Sequence, residues 1–96
     1  MSANIIELHA DNFEQEVIAS PLPVCIDFWA PWCGPCRMLS PVIDELAAEV
    51  TGIKFCKVNV DEEPGLAAQF AVNTIPTLIF SKAGPSASGP RPSFWN

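Results

Sequence analysis

Basic residues are scarce. Five Lys and Arg stand against eleven Asp and Glu, a formal net charge of −6 over 96 residues. A nucleic-acid binder needs a basic stripe for phosphates, so no nucleic-acid partner is expected. The same shortage argues against adsorption to acidic membranes. Long apolar runs are also missing, and none approaches the length of a membrane span. Residues 1–10 carry no cationic segment followed by an apolar stretch, so the expected location is cytoplasmic. Metal-ligand spacing is absent: Cys25 and Cys56 fall in predicted strands and His9 is distant, so neither metal nor cofactor is expected. There is no internal repeat. What is present is a 49% apolar composition, well above the disordered range. That suits one small domain with a core and little stability to spare. Four cysteines in a reducing compartment read as catalytic, metal-binding or buried thiols before they read as structural bridges.

Two of the four stand out. Trp32-Cys33-Gly34-Pro35-Cys36, closed by Arg37, follows an apolar run at 24–30 and precedes an amphipathic one at 38–50. The pair therefore sits where a strand hands over to a helix, the setting of a redox dithiol.

The rest of the chain alternates strands and helices. Residues 5–8 form a short strand. Asp11 and Glu14 predict a helix N-terminus of capping type, with Phe13, Val17 and Ile18 on its buried side. Pro21 and Pro23 end that helix. Residues 24–30 read as a strand covered on both faces, with Asp27 the polar exception. A carboxylate there must be hydrogen-bonded, protonated or engaged in the neighbouring chemistry. The next helix starts near Cys33 or Gly34, with Pro35 in its first turn and Pro41 inside it. Met38, Leu39, Val42, Ile43, Leu46, Ala47 and Val50 make its apolar stripe. Residues 53–60 predict a second buried strand, with Lys57 as its exception. Asp61 is placed to cap a short helix over 62–70, and residues 77–80 make a last strand. The alternation predicts an α/β domain with helices on both faces of one sheet.

The helix start gives the cysteines unequal roles. Cys33 lies nearest the free amides and the positive end of the dipole, which favours its thiolate, the attacking species in exchange. Cys33 is the expected nucleophile and Cys36 the resolving thiol. Asp27, desolvated beneath the pair, can take the proton that Cys36 loses, and Lys57 on the neighbouring strand can temper its shift. For Cys25 and Cys56 the simplest reading is buried thiols, and for His9 a surface position.

The segment from Trp29 to Met38 resembles the active site of the thioredoxin family. Asp27 is similar to that family's buried acid, Lys57 to its interior lysine, Pro41 to its helix proline, and Asp61 to the aspartate after its central strand. Ile75-Pro76-Thr77 resembles the loop whose proline is cis and faces the cysteines. The resemblance runs roughly from Ile5 to Gly84. It implies a thioredoxin-like α/β/α sandwich and protein-disulfide reduction. It also implies client proteins bearing disulfides, and a thioredoxin reductase that recharges the pair. Trp32, Gly34, Pro35, Ile75 and Pro76 are the client-contact residues it implies.

After Gly84 the likeness fails. Residues 85–96 are rich in Gly, Pro and Ser, and Pro85, Pro90 and Pro92 oppose both strand and helix. The expectation is a domain over 1–84 and a flexible tail over 85–96. That domain would lack the family's last edge strand and C-terminal helix, or have them replaced by a partner chain or a second copy. Lower stability and self-association through the bared surface follow. Two functions stay open: a thioredoxin-type reductase, or a catalytically impaired scaffold or interaction module.

Overall fold

The computed structural model of the chain describes residues 4–81. The expected tail at 85–96, and the missing strand and helix inferred from it, lie outside the described residues. Four strands make one mixed sheet in the order β1-β3-β2-β4. They are β1 (Ile5–Glu7), β2 (Val24–Trp29), β3 (Lys54–Asn59) and β4 (Thr77–Ser81). β1, β3 and β2 run parallel, and β4 is antiparallel to β2. The helices are α1 (Gly34–Glu49) and α2 (Pro64–Gln69). The expected first helix is a five-residue π-helical turn, Glu14–Ile18.

Residues alternate across a strand, so register decides which face each one joins. One face carries Val24, Ile26 and Phe28 of β2 with Cys56 and Val58 of β3, all sealed from solvent. Phe13 and Val17 near the π-helical turn and Leu66 and Ala67 of α2 close over them as one core cluster. Phe70 sets its ring against both Phe13 and Phe28. Full burial of a ring such as Phe28 stabilises by roughly 2–3 kcal/mol.

The other face carries Cys25, Asp27 and Trp29 beside Phe55 and Lys57, with Leu78 and Phe80 across the β2–β4 ladder. Here α1 lies, with Cys36 and Ile43 as its buried residues. Its apolar stripe is wider than that contact: Met38, Val42 and Leu46 remain exposed. Leu78 and Phe80 are also exposed, at 47% and 62%.

Two expected caps are replaced. Asp11 does not cap the first helical turn. Asn12 holds that corner instead, its side chain accepting from the His9 amide (2.7 Å) and donating to the Glu7 carbonyl (3.0 Å). A bridge to both strand and turn satisfies two backbone groups at once, which a cap at Asp11 would not. Asp61 does not cap α2 either. The helix starts later, with Glu63 as N-cap residue and no side-chain cap bond. At its other end Val72 and Ala71 donate to the carbonyls of Ala67 and Ala68, and Ala71 takes a left-handed φ of 56°. That is a Schellman closure with alanine where glycine is usual.

Candidate active site

β2 ends at Trp29, and buried Ala30 continues it to the turn carrying Trp32. Extended backbone at Cys33 (φ −87°, ψ 108°) then starts α1, with Cys33 as its N-cap residue. Proline fits the first turn because no internal acceptor awaits its nitrogen. Pro35 sits there between the two cysteines.

Cys33 and Cys36 are joined as a disulfide, their Cα atoms 5.3 Å apart. That separation lies within the range a disulfide bridges. The Cys36 amide donates to Cys33 Sγ at 3.2 Å. A donor aimed at that sulfur favours a thiolate over a thiol once the bond is reduced. Both residues are nearly enclosed, and Ala30 completes their cluster, with Trp29, Val60 and Ile75 packed against it.

Beneath the pair is a cavity of about 190 Å³ lined by Asp27, Trp29, Cys36, Arg37, Ser40 and Lys57. Asp27 is only 7% exposed, and burial pushes its carboxyl up to about 6, Lys57 offsetting part of the effect. Its Oδ1 and the Trp29 indole Nε1 are buried with no hydrogen-bond partner. β3 puts Lys57 directly opposite Asp27 in register. The lysine does not close an ion pair with it. Its Nζ lies over the Trp29 ring, 4.7 Å from the centroid. A cation over an indole face keeps a favourable contact without full burial.

On the other side of the disulfide is a groove of about 180 Å³, lined by Trp32, Val60, Ala67, Val72, Asn73, Thr74 and Ile75. The Ile75–Pro76 bond is cis. Trp32 is exposed, and its indole donates to Asp61 Oδ2 at 2.9 Å. Asp61 thus holds the rim of the groove, the job it has in place of capping α2. Gly34 is half-buried and Pro35 exposed at the start of α1.

The expected residues fall into two groups around the disulfide: Asp27 and Lys57 below it, Trp32 and Ile75 beside it with Pro76 adjoining. Sequence reasoning passed over Ser40, although its spacing of four from Cys36 puts both on one helix face. It also passed over the groove wall at Val60, Val72, Asn73 and Thr74, for which no spacing rule exists. Cys25 and Cys56 are free, half-buried and buried respectively. Burial drives both thiols up, Cys56 to about 12, so neither competes as a nucleophile at neutral pH. His9 does more than sit on the surface: Nδ1 meets Glu63 Oε2 at 3.1 Å.

The family model for thioredoxin matches residues 4–92. The chain is 57% identical over 74 residues to a thioredoxin of Pyropia yezoensis, covering 76% of this chain and 69% of that protein. It is 56% identical over 74 residues to thioredoxin 1 of a Nostoc species, with the same coverage. Against a thioredoxin of Haemophilus influenzae it is 47% identical over 83 residues, 85% of this chain and 78% of that protein.

Proposed function

This chain belongs to the thioredoxin family and is an oxidoreductase that exchanges disulfides at Cys33–Cys36, and from that premise we propose that it reduces the disulfides of client proteins and is recharged by a thioredoxin reductase. The observation that carries the assignment of roles is the Cys36 amide aimed at Cys33 Sγ from the first turn of α1.

In the reduced state Cys33 is the thiolate. It attacks one sulfur of the client disulfide, the other client sulfur leaves as a thiolate, and a Cys33–client mixed disulfide forms. Cys36 then gives its proton to the Asp27 carboxylate and attacks Cys33 Sγ. The second client sulfur leaves, and Cys33–Cys36 is oxidised by two electrons as the client is reduced by two. Lys57 moderates the basicity of Asp27 from across the β2–β3 ladder. Trp32, Gly34, Pro35, Ile75 and Pro76 form the contact surface on which an extended client segment lies. The setting is a reducing cytoplasm, where Cys25 and Cys56 stay thiols.

Insulin reduction driven by dithiothreitol tests the reading. The protein accelerates precipitation of the insulin B chain, and Cys33→Ser abolishes that acceleration. No acceleration by the unmutated protein refutes it. A reductase-coupled assay separates the impaired-scaffold alternative: a disulfide that dithiothreitol reduces but the reductase does not favours the scaffold.

We infer also, from Pro85, Pro90 and Pro92, that the chain after Gly84 lacks the family's last edge strand and C-terminal helix. β4 pairs with β2 alone among the described strands, and it carries exposed Leu78 and Phe80 with no charge along Thr77–Ser81. An uncharged apolar edge is a template for another strand. The occupant proposed is a second copy, β4 against β4. Light scattering should show a concentration-dependent dimer that Phe80→Lys disperses, and a monodisperse monomer throughout overturns the idea.

A further inference from the structure

We propose that Ser40 is a positioning residue for the resolving step: its hydroxyl, at the mouth of the cavity beneath the disulfide, orders the water through which Asp27 exchanges its proton with solvent. The inference rests on the base role proposed for Asp27.

Two buried polar atoms, Asp27 Oδ1 and Trp29 Nε1, have no hydrogen-bond partner, and both residues line the cavity. Orphaned polar groups beside a space of that size are satisfied by ordered water where several polar residues border it, as Asp27, Arg37, Ser40 and Lys57 do here. A water that passes a proton reverses its orientation, so it is best held by a lining group that can both accept from it and donate to it. Most of the lining groups cannot do this. Lys57 and Arg37 are cations that only donate, and the Trp29 indole only donates. Cys36 is the proton source, and its thiol is a weak partner. The Ser40 hydroxyl both donates and accepts.

Its place in the fold suits the role. Ser40 lies one turn after Cys36 on α1, so it lines the same cavity as the resolving thiol. It is also exposed, so it joins the enclosed side of the cavity to bulk solvent. The charge that acts on Asp27 is Lys57 from β3; Arg37 and Cys36 of α1 line the same cavity, Cys25 on its own strand is an uncharged thiol, and β4 sets uncharged Leu78 opposite it.

The balance is simple. Cys36 loses a proton to Asp27 and becomes the thiolate that attacks Cys33 Sγ. Asp27 then returns that proton to solvent past Ser40, and the released client thiolate takes one up from water. Nothing else is consumed.

The test uses reduced full-length protein and 5,5′-dithiobis(2-nitrobenzoate) in a stopped-flow instrument. Attack by Cys33 releases the first coloured thiolate, and attack by Cys36 releases the second. General-base assistance contributes on the order of 100-fold or more, so Asp27→Asn slows the second release by roughly that factor. Ser40→Ala removes part of that assistance, and the second release slows about 5-fold against the first. The pH at which the second release reaches half its maximum also moves upward. Ser40→Thr, which keeps the hydroxyl, restores the rate to within about twofold. Alanine favours helix at this exposed position, so loss of folding does not confuse the result. Equal slowing of both releases, no slowing, or failure of threonine to rescue overturns the proposal. Where Asp27→Asn slows the second release and Ser40→Ala does not, only this inference falls. Where Asp27→Asn has no effect, the base role falls and this inference with it.

Discussion

Replacing Asp27 by asparagine should stabilise the protein, and only above a defined pH. The carboxyl is nearly enclosed, and burial raises it from 3.8 to about 6 against the smaller opposing pull of Lys57. An acid whose folded-state pKa is raised contributes most to stability below its unfolded value and loses that contribution as pH rises through the folded one. The window therefore runs from pH 3.8 to about 6. A displacement of about two in pKa, at about 1.4 kcal/mol each, makes the ionised carboxylate cost roughly 3 kcal/mol at pH 8. The same linkage leaves about half of that at pH 5 and about 0.5 kcal/mol at pH 4. Asparagine keeps the shape and cannot ionise. Urea unfolding of the oxidised Asp27→Asn and unmutated proteins at pH 4, 5 and 8 reads the difference directly, and 3 kcal/mol is a large share of a small domain's stability. A gain that is the same at all three pH values would show that Asp27 is not ionising against its burial. That result would remove the reason to expect a base near neutral pH in this position. The same variant should be slow in the resolving step, so the stability gained and the activity lost have one source.

Two more outcomes are expected. Ala71→Gly removes a left-handed alanine from the Schellman closure of α2, and should raise unfolding free energy by about 0.5–1 kcal/mol; a loss of stability in urea would contradict that account. His9 titrates above its ordinary 6.5, chiefly through its hydrogen bond to Glu63, so this contact stabilises below that pH and is lost as pH rises through the folded pKa. Glu63→Gln should bring the His9 midpoint in an NMR titration down toward 6.5, and an unchanged midpoint would assign the shift elsewhere.

The chemistry of the chain was more legible than its caps. Cys33 and Cys36 could be placed because a β-rich apolar run, a proline and a helical period meet within a few residues. Asp27 and Lys57 stood out because a polar group inside a strand covered on both faces is conspicuous, and the parallel register of β2 and β3 sets them opposite each other. The period did not say where the Lys57 ammonium points, since a long stem reaches either the acid or the Trp29 ring. Local patterns misassigned Asp11 and Asp61. Each precedes a helical segment, but Asn12 found two backbone partners and Asp61 found the Trp32 indole. Those competitors are set by tertiary packing, and a capping rule does not see them. The stripe of α1 was legible as apolar and its exposure was not. Periodicity marks a face that wants cover, and it carries no account of what supplies it.

The two faces of the sheet divide the work. The face of Val24, Ile26 and Phe28 is closed by the π-helical turn and α2, and its residues are sealed. Its charges, Lys54 and Glu16, are paired with each other at its margin, and its apolar centre carries the stability. The face of Asp27, Trp29 and Lys57 is covered by α1 alone among the described helices, and it keeps a cavity bordered by Asp27 and Lys57 and an exposed apolar margin. A carboxyl raised to about 6 needs both conditions. Tighter cover would close the cavity through which solvent reaches it, and looser cover would return it to its ordinary value. Because α1 supplies both that cover and the Cys33–Cys36 pair, a change that shifts the helix on the sheet alters the thiols and their base together. Variants in the α1 stripe should therefore change the pH dependence of exchange, whereas variants in the sealed core should change stability and leave that profile in place.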